Sequence, residues 1–130
     1  MSGLQPLLHA ETVVLRAPVQ AWSAPDGDLG ARPIHGIYLS DTRIVSQLQV
    51  LVDGGAGELV ATIPAGADDI AFVSLLRGLD DAGADPRVRL IRRRTVSTTG
   101  VMERLRFEST LRESVDTTVT VRIASDLAEM

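Results

Sequence analysis

Residues 36–54 read GIYLSDTRIVSQLQVLVDG, and this stretch decides the fold. Gly36 and the three residues Ile37, Tyr38 and Leu39 come first. An Asp41-Thr42-Arg43 corner follows, and a long strand continues from the corner. Apolar and polar side chains alternate along that strand, which is the pattern of a β-strand with one buried face. The apolar positions are Ile44, Leu48, Val50 and Val52, and the polar ones are Arg43, Gln47, Gln49 and Asp53. The stretch therefore predicts an antiparallel β domain.

Outward from this stretch, turn signals rich in Gly, Pro and Asp divide the chain into further short strands. These strands are predicted at Glu11–Ala17, Val19–Ser23, Glu58–Ala65, Arg87–Ser97, Val101–Thr110 and Val115–Ile123. Residues 67–80 fit both a helical stripe and a buried strand, and we favour the strand because Gly78 follows at once and the neighbouring segments are strands.

The resulting pattern of about seven to nine strands without a long helix predicts an all-β fold, an antiparallel β-sandwich of the supersandwich type. Residues 1–10 are interpreted as an N-terminal tail, and residues 11–130 as a single β-sandwich domain, because the length suits one core. We expect the core to include apolar residues from three of the predicted strands: Ile44, Leu48, Val50, Leu105, Phe107, Val119, Val121 and Ile123.

Composition removes several classes of function. The chain has a net charge of −4 and a sequence pI of about 5.1, which argues against binding to nucleic acid or to an anionic membrane. It has no cysteine, so disulfides and thiolate chemistry are excluded, and a cytoplasmic location is expected. His9 and His35 match no ligand spacing, and no apolar run could span a membrane. We expect no metal and no cofactor.

The Asp41-Thr42-Arg43 corner has a local interpretation and a functional one. Locally, Asp41 accepts hydrogen bonds from backbone N–H groups that follow it, and Arg43 pairs with Asp41 or with an acid across the turn. Functionally, both residues contact a ligand or another domain. Trp22 and Tyr38 are the aromatic candidates for contact with a glucan, since sugar rings rest on exposed aromatic side chains. The alternative is burial, which is the commoner fate of a single Trp or Tyr in a small domain. The local interpretation is favoured.

Arginines are concentrated on the hairpin that follows. On a β ribbon Arg92 and Arg94 point to one face and Arg93 to the other, so the run is not one basic patch. Pairing across the hairpin with Glu103 or Glu108 on a solvated face is the favoured interpretation. The alternative is that Arg92, Arg94 and Arg104 form ion pairs with a neighbouring domain.

No catalytic signature is present. Glycoside hydrolysis needs two carboxyl groups that flank the bond, and the adjacent acids Asp68-Asp69 and Asp80-Asp81 lie in loops without apolar surroundings. The Gly-x-Ser-x-Gly elbow and the P-loop are also missing. The residues by themselves indicate an antiparallel β domain and no function beyond it.

Three motifs in this order resemble a known family. They are HGIYLSDTRIVS at residues 35–46, RRRTV and GVMERL at residues 92–105, and VRIASDLAEM at residues 121–130. Together they resemble the N-terminal domain that precedes the catalytic domain in bacterial glycogen debranching enzymes of the amylo-α-1,6-glucosidase type. Leu127 and Glu129 stand where that family usually has Phe and Asp.

The resemblance implies a β-sandwich that packs against a catalytic α/α barrel absent from this chain, with α-glucan as a further candidate partner. It also implies that the chain belongs to a longer glycoside hydrolase and carries no catalytic residue itself. The alternative is a stand-alone carbohydrate-binding or protein-interaction sandwich. We also expect self-association, as a homodimer through the regular, β-branched strand at Val115–Ala124.

Overall fold

The computed structural model describes residues 11–81 and 83–129, which form ten β-strands and one short 3-10 turn at Arg77–Leu79. The predicted N-terminal tail lies outside the described residues. The strands are β1 (Thr12–Arg16), β2 (Val19–Ser23), β3 (Gly36–Leu39), β4 (Thr42–Val45), β5 (Gln47–Val52), β6 (Glu58–Pro64), β7 (Asp69–Leu75), β8 (Val88–Val96), β9 (Val101–Ser109) and β10 (Val119–Ala124).

All strand pairs are antiparallel, in three sheets. Sheet A has the order β1-β2-β3-β4, sheet B consists of β10 and β5, and sheet C has the order β6-β7-β8-β9. Consecutive strands are neighbours in sheets A and C. Short turns join β1 to β2, β3 to β4, β6 to β7 and β8 to β9, whereas residues 24–35 and 76–87 form longer connections. Sheet B is different, since it pairs two strands that are distant in the chain.

The core lies between sheet C and the two other sheets. One cluster joins sheet A and Leu48 of β5 to sheet C, through Val14, Val19, Ala21, Leu29, Ile37, Ile70, Phe72 and Val96. A second cluster joins β5 to sheet C, through Val50, Val52, Leu76, Val88 and Leu90. The predicted all-β antiparallel sandwich is confirmed, and the strand interpretation of residues 67–80 holds for Asp69–Leu75.

The stretch at residues 36–54 forms three strands in two sheets. The chain bends at Ser46, whose N–H donates to the Ala124 carbonyl (2.8 Å), and so passes from sheet A to sheet B. Leu48, Val50 and Val52 are buried as predicted, whereas Ile44 is half-buried. Alternation alone could not locate the bend, because the same period continues on both sides of Ser46.

Four predicted core residues are exposed, and the prediction was wrong for them. Phe107 lies near the end of β9, the edge strand of sheet C, while Val119, Val121 and Ile123 lie on β10. These three side chains share a face with buried residues of β5, since paired residues in a sheet point to the same side. β10 is the edge strand of its sheet, however, and every residue of it is exposed. Leu105 is half-buried.

Candidate functional site on the outer face of sheet A

Strand pairing in sheet A brings together three of the four residues predicted to contact a glucan or another domain. Trp22 pairs with Gly36, and Tyr38 pairs with both Gln20 and Arg43. Residues paired across strands project to the same side of a sheet. The alternate residues of these strands belong to the core, so Trp22, Tyr38 and Arg43 lie on the side of sheet A that faces away from it.

This surface, called the outer face of sheet A, extends onto β1. Val13 pairs with Trp22, and Leu15 pairs with Gln20. Leu15 is 41% exposed, and Trp22 is half-buried. The indole Nε1–H donates to the Gln20 side-chain oxygen (3.0 Å), which holds the ring beside that amide. The outer face therefore combines apolar surface with one oriented aromatic ring, a composition suited to a protein contact or a sugar ring.

Tyr38 is not the aromatic platform considered for it, and Asp41 does not accept the hydrogen bonds predicted for it. Tyr38 is buried and donates its hydroxyl proton to the Ile34 carbonyl (2.8 Å), so its ring is not available as a platform. Asp41 is exposed at the turn, where Ser40 has a positive φ of 52°. In the described part of the chain no N–H donates to the Asp41 carboxylate, and the predicted hydrogen bonds to it are absent. The turn is made by the Ser40 backbone instead.

Arg43 binds Asp126 and so joins the Asp41-Thr42-Arg43 corner to the VRIASDLAEM motif. This pair is called the Arg43–Asp126 clamp. The Arg43 Nε donates to Asp126 Oδ1 (3.0 Å), and its Nη2 donates to the other oxygen of the same carboxylate. Its Nη1 donates to the carbonyls of Pro33 (2.8 Å) and His35 (3.2 Å). The Arg43 backbone N–H also donates to the Ala128 carbonyl (2.7 Å). One arginine thus joins three segments, and its acidic partner is remote in sequence.

Gly36 leaves the space that this clamp needs. A Cβ atom at position 36 would lie 2.5 Å from the Arg43 Cδ and 2.9 Å from its Cγ, both closer than real contacts allow. The Arg43 side chain therefore passes directly over the glycine on its way to Asp126. The spacing of glycine and arginine in the HGIYLSDTR motif follows from cross-strand packing.

The clamp favours the charged forms of both partners. The hydrogen bond from Arg43 lowers the pKa of the Asp126 carboxyl, and a hydrogen bond from the Ala128 N–H (3.1 Å) lowers it further. The hydrogen bond to Asp126 raises the pKa of the Arg43 guanidinium. A bidentate pair of this kind has a fixed geometry as well as a fixed charge. Its effect is to hold residues together rather than to transfer protons.

Arg92 and Arg94 point into the domain. They share the buried face of β8 with Val88, Leu90 and Val96. Arg94 donates to both oxygens of Glu103 (2.8 and 2.7 Å) and to the Gly27 carbonyl (2.6 Å).

Arg92 donates to Glu103 Oε2 (2.6 Å) and to Asp28 (2.6 Å), while the Arg94 guanidinium lies over the Phe72 ring at 5.3 Å from its centroid. Both arginines are buried, at 4% and 0% exposure, so the predicted ion pairs to another domain are wrong for them.

Pairing of these arginines with Glu103 was anticipated, but on a solvated face. The signal for burial was present in the alternation of β9, where Glu103 occupies the same face as the apolar Val101 and Leu105. Arg104 lies on the opposite, exposed face and is paired in register with Arg93. No ion pair to Arg104 is present among the residues that the structure describes, and its contact with another domain stays a prediction.

A second buried polar group was missed by sequence reasoning. His35 and Glu11 are both buried, and His35 Nε2 lies 2.6 Å from a Glu11 oxygen. Because His35 Nδ1 accepts from the Gly30 N–H (3.3 Å), the proton is on Nε2, and the imidazole donates to the carboxylate. Arg32 lies 3.1 Å from the other Glu11 oxygen. Isolated acidic and histidine residues carry no spacing that would reveal such a contact.

Across residues 11–81 and 83–129, no cluster of three or more His, Cys, Asp or Glu side chains could hold a metal ion. Over the same residues no helix is long and apolar enough to cross a membrane.

The clamp joins the first and the third of the three motifs that carry the family resemblance, and comparison with known families agrees with that resemblance. Residues 14–130 match the family model for the N-terminal domain of some glycogen debranching enzymes. The chain belongs to this family. Neither curated proteins nor solved structures give a further match. In this debranching-enzyme domain the matched region includes the outer face of sheet A, the Arg43–Asp126 clamp and the buried arginine network.

Proposed function

We propose that this chain is the non-catalytic N-terminal module of an amylo-α-1,6-glucosidase, and that the outer face of sheet A packs against the catalytic domain of the same polypeptide. The observation that carries this proposal is an apolar surface beside the neutral Gln20, made by the exposed Leu15 and the half-buried Val13 and Trp22. Burial of such apolar surface under another domain lowers the free energy of the protein in water.

The outer face of sheet C offers a contrast that supports this choice. It carries arginines that are already paired within the domain, Arg93 with Asp69 and Arg89 with Glu108. Covering these charges would cost desolvation energy that surface ion pairs recover poorly. The free energy of docking is therefore more favourable on the outer face of sheet A than on the outer face of sheet C.

Four carboxyl groups of the domain have a lowered pKa, which is the opposite of what a catalytic acid requires. A glycosidase acid needs a raised pKa so that it holds a proton near neutral pH. In this domain hydrogen bonds from arginines lower the pKa of Glu58, Asp69 and Asp126, and backbone N–H groups lower that of Asp80. These carboxyls are held in the charged state, which suits binding and stability. The expected result with glycogen limit dextrin is that the domain releases no glucose.

The docking proposal can be tested with the single tryptophan as a probe. Incorporation of 5-fluorotryptophan gives one ¹⁹F resonance, which reports on Trp22 alone. Addition of the separately purified, unlabelled catalytic domain should shift this resonance and saturate. Leu15→Lys should weaken the interaction, whereas Leu39→Lys should not, since Leu39 has almost the same exposure (42%) and points to the other side of sheet A. An unchanged resonance at saturating catalytic domain would contradict the proposal.

Glucan binding is the second candidate, because Trp22 is the partly exposed aromatic ring on this surface. Electrophoresis through a gel that contains glycogen separates the two functions: a glucan-binding domain is retarded and Trp22→Ala abolishes the retardation. Trp22→Phe is the matched control, as it keeps an aromatic ring on which a sugar can rest. Tyr38→Ala, by contrast, would test the fold, since Tyr38 is buried. A domain that migrates equally with and without glycogen would exclude this candidate.

A further inference from the structure

β10 exposes its side chains to an unusual degree for a strand so rich in β-branched residues. Val119, Val121 and Ile123 are 37%, 51% and 67% exposed, although they lie on the same side of sheet B as the buried residues of β5. Arg122 is the single charged residue within the strand. The result is a row of three apolar side chains along one strand, with no described segment covering it.

The backbone of the same three residues is turned to the free edge of sheet B. The Asp53 N–H donates to the Thr118 carbonyl (2.8 Å), which makes this a hydrogen-bonded pair of the antiparallel ladder. Such pairs alternate, so Thr120 and Arg122 are the next residues bonded to β5. Val119, Val121 and Ile123 therefore direct their N–H and C=O groups away from β5. One set of residues offers both unpaired backbone groups and apolar side chains.

Each of the other edges is obstructed. On the far side of β5, the second strand of sheet B, Leu48 is hydrogen-bonded to Leu29. The Ala128 carbonyl accepts a hydrogen bond from β4, and the Ala67 carbonyl accepts one from β1. β6 contains Pro64 and a bulge, and β9 carries Arg104 and Arg106. Coverage, proline, bulges and edge charges are the features that prevent pairing between strands of different molecules. β10 has only Arg122 for this purpose.

We propose that β10 pairs with β10 of a second copy of this chain, in a symmetric antiparallel dimer. A two-fold axis at Val121 places Val121 opposite itself and Val119 opposite Ile123, so that all free backbone groups of these residues find partners. Arg122 then faces Thr120 of the second copy, which avoids repulsion between like charges. The joined sheet has four strands, and six apolar side chains come together on one side of it. This dimer is independent of the catalytic domain and of glucan.

The experiment measures the mass of the 130-residue chain by sedimentation equilibrium from micromolar to millimolar concentration. The wild-type chain should pass from monomer to dimer. Val121→Lys places two like charges together at the axis and should raise the dissociation constant about tenfold or more. Val60→Lys is the matched control, because Val60 has the same 51% exposure on the bulged edge strand β6. It should leave the dissociation constant unchanged.

Hydrogen exchange of the wild-type chain locates the contact without a variant. The amides of Val119, Val121 and Ile123 should gain protection as the concentration rises, whereas those of Thr120 and Arg122 should not change. Val121→Pro removes an edge N–H without affecting the pairing with β5 and should also weaken the dimer. A monomer at millimolar concentration, a dimer that Val121→Lys leaves intact, or equal weakening by Val60→Lys would overturn the proposal.

Discussion

Replacement of Glu103 by alanine should destabilise the domain more than replacement of any surface acid. Glu103 accepts three charged hydrogen bonds, one from Arg92 (2.6 Å) and two from Arg94 (2.8 and 2.7 Å). With Glu103 removed, the buried Arg94 keeps the Gly27 carbonyl as a neutral acceptor, and Arg92 keeps Asp28. The interior then holds two positive charges against one negative charge.

The expected loss is about 3–5 kcal/mol, the cost of breaking a buried ion pair by removing one partner. A domain of this size is stable by about 5–15 kcal/mol, so the variant loses a large part of its stability. With a urea dependence of about 2 kcal/mol per M, a loss of about 4 kcal/mol lowers the unfolding midpoint by about 2 M. Glu103→Gln should lose less, since the amide keeps one acceptor oxygen.

Urea unfolding followed by far-UV circular dichroism measures this effect, and the slope must stay constant for the midpoint shift to report stability. Glu108→Ala is the matched control. Glu108 lies on the same strand and pairs with Arg89 and Arg106, but both of those arginines are exposed. Its replacement should cost at most about 1 kcal/mol. Equal midpoints for the Glu103→Ala and Glu108→Ala variants would refute the argument that Glu103 neutralises a buried pair of arginines.

Three further outcomes are expected. Gly36→Ala should cost about 1–3 kcal/mol by displacing the Arg43 side chain, and the cost should largely disappear in an Arg43→Ala background when both are measured by urea unfolding. The folded-state pKa of Asp126 is lowered, so its contribution to the free energy of unfolding is present above the unfolded pKa of about 4 and is lost as the pH falls through the folded-state pKa. Asp126→Asn should therefore reduce the difference between the urea unfolding midpoints at neutral and acid pH. Val121, which the sequence pattern placed in the core, is exposed, so Val121→Asp should change the free energy of unfolding by no more than about 0.5 kcal/mol, and thermal unfolding would check it.

The sequence alone was sufficient for the class of fold and for the family. Strand periodicity is a local property, and turn residues mark where most strands end, so about seven to nine strands could be predicted from short windows. The structure has ten, and the long strand predicted after the Asp41-Thr42-Arg43 corner is divided at Ser46 into β4 and β5. The motifs around Gly36, Arg43 and Asp126 could be identified as a set. The contact that these residues make could not be predicted, since Arg43 and Asp126 are brought together only in the folded chain.

Burial was decided by the tertiary structure. The alternation in Val119–Ala124 is as regular as that in Gln47–Val52, yet β5 is covered by sheet C and β10 is not. The reverse occurs at Glu103, a charged residue that the fold places inside opposite two buried arginines. Alternation determines which side chains share a face. Whether that face meets another layer or water depends on long-range strand pairing, because burial is a property of the assembled sheets.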